Sequence, residues 1–140
     1  MGDGDYYTPD VIRSIRHDLW SCVGALANQE LQRATWGLVD NPYYTYVEFS
    51  ETFLDLIPDG LEKMVGRGIL SPKESSILHR LYLAVDEYQA PNSDCYDHDA
   101  ILGDPEWRTV VQTAKATVTE LIEFIDPSEL TRIFGSIRKI

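Results

Sequence analysis

The stretch best equipped for chemistry is an acidic loop. Asn92-Ser93-Asp94-Cys95-Tyr96-Asp97-His98-Asp99, with Asp104 shortly after, offers oxygen, sulfur and nitrogen donors in a short span. Calcium would need about six to eight oxygens, with acids alternating around a glycine and a bidentate Glu closing the loop. Asp97 and Asp99 alternate, but that glycine and that Glu are not in place. Zinc would need about four ligands, and Cys95 with His98 supplies only part of a set. No metal and no cofactor is therefore expected. The loop reads instead as solvated turns whose Asp side chains cap their own backbone. His17 stands beside Asp18, but sequence neighbours do not face each other on a helix. No Ser or Cys stands in a nucleophile context, so no catalytic residue is assigned and the expectation is a non-enzymatic protein. The alternative is a metal-binding or hydrolytic protein using Asp94 to Asp104, because triads meet only in space.

The 140 residues carry a formal net charge of −11, and that charge comes in blocks. No Lys or Arg occurs from Leu81 to Trp107, where Asp86, Glu87, Asp94, Asp97, Asp99, Asp104 and Glu106 fall. None occurs between Arg33 and Lys63, where Asp40, Glu48, Glu51, Asp55, Asp59 and Glu62 fall. Such a chain repels phosphates, which argues against nucleic acid, and it is repelled by an anionic membrane surface. A basic protein partner suits it. Tyr43, Tyr44, Tyr46, Tyr82, Tyr88 and Tyr96 lie in or beside these blocks. Carboxylates next to aromatic rings complement Arg and Lys through ion pairs and cation–π contacts. The candidate partner-binding residues are Tyr43, Tyr44, Asp55, Asp59, Glu62, Asp94, Tyr96, Asp97 and Asp99.

The elements that must position these residues are helices. Four times a capping residue is followed by proline: Thr8-Pro9, Ser71-Pro72, Asp104-Pro105 and Asp126-Pro127. The cap side chain satisfies a free N–H of the first turn, and proline at the first helical position loses no hydrogen bond. Ser71 and Glu74 add the reciprocal pair of a capping box. Apolar residues then recur at spacings of three and four. They run from Val11 to Leu26, from Ile77 to Tyr88 and from Val110 to Ile125. Either Asn28 breaks the first helix or the helix runs on through Leu31 to Ala34, and Trp36-Gly37 is a helix end with Gly at the left-handed position. Asp40-Asn41-Pro42 is a turn, leading into a helix from about Thr45 that buries Phe49, Phe53 and Ile57. A short helix follows over Leu61 to Val65, and a C-terminal one carries Leu130, Ile133, Phe134 and Ile137. The expectation is all-α: an irregular bundle of five to six helices, a single domain over residues 1–140 with residues 1–7 a loose tail.

Trp20, Trp36 and Trp107 read as packing anchors, with Trp20 and Trp36 also open to an interface role. A homodimer built on exposed Trp and Tyr is a further alternative. Cys22 reads as a small core residue. The acidic N-terminus is unlike a signal peptide, and no apolar run reaches the roughly 20 residues that span a bilayer. A cytoplasmic location is the default expectation.

The Trp36-Gly37 pair, the Tyr/Phe run before a helix, and Leu102-Gly103-Asp104-Pro105-Glu106-Trp107 opening the penultimate helix resemble small acidic bacterial immunity proteins of polymorphic and contact-dependent toxin systems. That resemblance implies a protein that neutralises a toxin domain by covering its active surface. It carries no binding residue over to this chain.

Overall fold

The computed structural model describes residues 7–37 and 44–127. Among them are seven α-helices, five of at least seven residues, and no strand. The all-α irregular bundle expected from the sequence is the fold. The helices are α1 (Pro9–Leu26), α2 (Gln29–Thr35), α3 (Tyr46–Asp55), α4 (Leu61–Gly66), α5 (Pro72–Glu87), α6 (His98–Leu102) and α7 (Pro105–Leu121). The C-terminal helix expected around Leu130 to Ile137 lies outside the described residues.

Every start but that of α4 is fixed by a local side-chain hydrogen bond. Thr8 Oγ1 accepts from Val11 N at 3.3 Å. Thr45 Oγ1 accepts from Glu48 N at 3.1 Å, so the Tyr-rich run enters a helix rather than a strand. Asn28 does break the first helix, because its Oδ1 accepts from Leu31 N at 2.9 Å and starts α2. Ser71 and Glu74 form the full capping box. Helix α7 stays helical despite its threonines. The hydroxyls of Thr109, Thr113, Thr117 and Thr119 each donate to the carbonyl four residues earlier. Each hydroxyl is thereby satisfied within the helix.

Helices α1, α5 and α7 enclose the core, with α3 across α1 and α5. Leu19, Val23, Leu26, Phe53, Leu78, Leu81, Trp107, Ala114 and Leu121 have no solvent exposure. All three Trp are buried, Trp20 and Trp36 at 2% exposure, so none serves as an exposed interface anchor. Tyr7 packs against the core with the Arg67 guanidinium 5.5 Å above its ring. His79, on α5 next to the buried Leu78, is exposed.

One ion pair ties the bundle together. Arg16 on α1 donates through Nη1 to Glu74 Oε1 at 2.9 Å and through Nη2 to Oε2 at 2.7 Å. Nη1 also donates to the Ile69 carbonyl at 2.9 Å. Glu74 accepts from Ser71 N at 2.8 Å and is only 3% exposed. Burial by itself would raise the Glu74 carboxyl. The Arg16 and Ser71 hydrogen bonds and the Arg16 charge outweigh it and hold the carboxyl below its ordinary range. This stabilisation is present above the ordinary Glu value of 4.5 and is lost as pH falls through the lower folded value. Glu74→Gln leaves the guanidinium without its carboxylate and should cost about 3 kcal/mol in urea unfolding at neutral pH. The variant should also show a shallower loss of stability between neutral and acid pH than the parent chain.

Candidate functional site

The acidic loop forms turns capped by its own Asp side chains, as expected. Pro91–Ser93 forms a 3-10 turn, with Asn92 and Ser93 both at φ 57°. Asp94 Oδ1 accepts from Tyr96 N at 3.0 Å, and Asp97 Oδ1 caps α6 by accepting from Ala100 N at 3.2 Å. Asp104 caps α7 through Oδ1 and accepts from the Tyr88 hydroxyl through Oδ2 at 2.8 Å. Burial pushes the Tyr88 phenol well up, and the Asp104 hydrogen bond and charge push it further. Among the described residues no three His, Cys, Asp or Glu side chains converge as metal ligands.

His98 ties this loop to the other acidic block. Its Nε2 accepts from the Tyr46 N–H at 3.4 Å, at the first residue of α3. Its ring lies 5.7 Å from the Trp36 ring. Around that contact is an aromatic cluster. Tyr46 stands edge-on to Trp107 at 5.3 Å and to Tyr88 at 5.6 Å, and Trp36 edge-on to Phe49 at 5.3 Å. Gly37 makes the approach possible. It sits at φ +71°, and a Cβ there would lie 2.9 Å from His98 Nδ1. Burial raises the Tyr46 phenol. The Ser50 hydroxyl pulls it down, although Ser50 Oγ makes no well-formed hydrogen bond, and the charges of Cys95 and Glu51 raise it again.

The predicted contact residues fall in two groups. Asp94, Tyr96, Asp97 and Asp99 are exposed in the loop, Tyr96 at 65%. Asp55 and Glu62 are exposed beyond the far end of α3, with Asp55 about 14 Å along the axis from Tyr46. Asp59 is not available as a bare charge, because Arg67 Nη2 donates to its Oδ2 at 2.9 Å. Tyr44 is half-buried, its ring 6.3 Å from Phe49. Tyr43 lies outside the described residues. Glu48 and Glu51, members of the same charge block, share a face of α3 with Asp55. That was legible from their spacing of three and four.

The cysteines differ in setting. Cys22 lines an apolar hollow with Ala25 and Phe49, and burial, then the Asp18 charge, pushes its thiol up to about 12. A thiol so disfavoured from ionising is a packing group, not a nucleophile. Cys95 is a free thiol in the acidic loop.

Gly37→Ala should strain the left-handed backbone and displace His98, and so separate the loop from α3. The expected result is a loss of about 1–3 kcal/mol with new amide exchange concentrated at residues 94–102. An unchanged exchange pattern would mean that the His98 contact does not hold the loop.

In comparisons with known proteins, no family model matches this chain, and no curated protein or solved structure is similar to it.

Proposed function

We propose that this chain is a non-catalytic binding protein whose acidic face occludes a basic partner, of the kind that an immunity protein offers to a toxin domain. The observation that carries this reading is where the negative charges stand. Among the described residues Glu48, Glu51, Asp55, Glu62, Asp94, Asp97 and Asp99 make no ion pair with the chain's own cations.

Several of these charges also oppose their surroundings. Glu48, Glu51 and Asp55 repeat at spacings of three and four on α3, where like charges repel. Asp55 ends α3, and Asp86 and Glu87 end α5, at the negative pole of each helix dipole; neither last turn carries a basic residue. Each such placement costs about 0.3–1 kcal/mol. An approaching cationic surface relieves that cost. Tyr96 adds a largely exposed ring beside the carboxylates, on a backbone already pinned by Asp94 and Asp97. A pre-ordered aromatic anchor loses little entropy on docking.

Chemical cross-linking in the native host, followed by purification of the captured protein, supplies the partner for kinetic measurement. The association rate should fall about tenfold or more from low to physiological salt. Glu51→Lys with Asp55→Lys should slow association while raising the stability of the free chain by about 0.5 kcal/mol. Tyr96→Ala should leave unfolding unchanged and speed dissociation about tenfold. A salt-independent association rate, or charge reversal without kinetic effect, would refute the electrostatic docking.

A further inference from the structure

The fold also creates a site of opposite sign. A groove of about 430 Å³ runs between α5 and α7, a volume within the range of small-molecule sites. Arg80 enters it from α5 and Arg108 from α7, together with Ser76 and Gln112, over Ile77 and Ala116. Of the six arginines among the described residues, Arg13, Arg16 and Arg67 are ion-paired, and Arg33, Arg80 and Arg108 are not. Two of those three line this one groove, in a chain of net charge −11.

The fold leaves both guanidinium groups unpaired for identifiable reasons. Arg108 has Asp104 four residues earlier, an ordinary helical ion-pair spacing. Asp104 is instead occupied by the Tyr88 hydroxyl and the Glu106 N–H. Arg80 has Ser76, Ile77, Leu83 and Ala84 at the positions that could face it along α5, none of them acidic. The groove's threonines do not compete as donors, since Thr109, Thr113 and Thr117 give their hydroxyl protons to helix carbonyls. The remaining donors are two guanidinium forks, one amide and one serine hydroxyl. Glu120 is the one acid on the lining and keeps that end of the groove unfavourable for negative charge.

We infer that this groove binds a small organic anion, its phosphate or carboxylate head held by Arg80 and Arg108 and its apolar body laid on Ile77 and Ala116. Planar guanidinium forks match both oxyanions in a bidentate manner. The site does not depend on the acidic face having a partner.

The test is calorimetric titration of the full chain with phenyl phosphate, benzoate and inorganic phosphate at low salt. Saturable binding of phenyl phosphate or benzoate is expected, tighter than inorganic phosphate, and the first two probes distinguish the head group. Arg80→Gln and Arg108→Gln should each weaken that binding about tenfold. Arg108→Lys should recover only part of it, because the charge returns without the fork. Arg33→Gln, outside the groove, should bind as the parent chain does. The free variants should unfold at the same urea midpoint, because both side chains are exposed. Any of three results overturns the assignment: no saturable binding of either aromatic probe, binding no tighter than inorganic phosphate, or undiminished binding by Arg80→Gln and Arg108→Gln.

Discussion

The hydrogen bond from the Trp107 indole to the Gln32 side chain holds the corner on which the rest of the bundle turns. Trp107 Nε1 donates to Gln32 Oε1 at 3.0 Å, and both residues are fully buried. The amide nitrogen of Gln32 donates in turn to the Ala25 and Leu26 carbonyls at 3.0 and 3.1 Å. Those carbonyls end α1; the Ala25 carbonyl also accepts from Asn28 N at 3.2 Å, and Gln32 supplies a partner to the Leu26 carbonyl at the break. A single glutamine therefore closes the end of one helix, fixes the bend into the next, and receives the first turn of α7. Burying so many polar atoms is tolerable only because each is satisfied.

From that corner the aromatic cluster follows. Trp107 carries Tyr46 and Tyr88 on its faces and edges, and Trp36 brings in His98 and Phe49. Through His98 the acidic loop is held against the start of α3. The cluster is thus hydrophobic packing with an electrostatic consequence. It anchors the carboxylate-bearing loop to the first residue of the helix that carries Glu48, Glu51 and Asp55. The Arg16–Glu74 pair has the opposite character, since its two charges satisfy each other away from water and serve the fold alone.

Charge in this chain is therefore divided by role. Among the described residues Arg13, Arg16 and Arg67 meet carboxylates at Asp10, Glu74 and Asp59. The carboxylates of the α3 face and the 94–99 loop are left to solvent, and so are the guanidinium groups of the α5–α7 groove. Neither group is evident from net charge. The sequence marks the stretch from Leu81 to Trp107 as free of cations, and Arg80 and Arg108 are the residues that bracket it. Only packing α5 against α7 brings those two brackets into one groove.

Most helix starts were legible residue by residue, because a cap acts over three or four positions and needs nothing distant, whereas the short α6 after Asp97 lies in what reads as loop. Thr8, Thr45, Ser71 and Asp104 all cap as their types and spacing require. The apolar stripes likewise named most of the core. Illegible were the choices a side chain makes among distant partners. Glu74 reads as half of a capping box and also takes Arg16 from 58 positions away. Asp104 reads as a cap and also withdraws from Arg108 by accepting from Tyr88. Asp59 reads as a free acid, yet it pairs with Arg67. The amino-acid order determined the helices, since their signals are local. Tertiary structure decided which charges are neutralised and which face outward, because that depends on which surfaces close packing of the helices brings together.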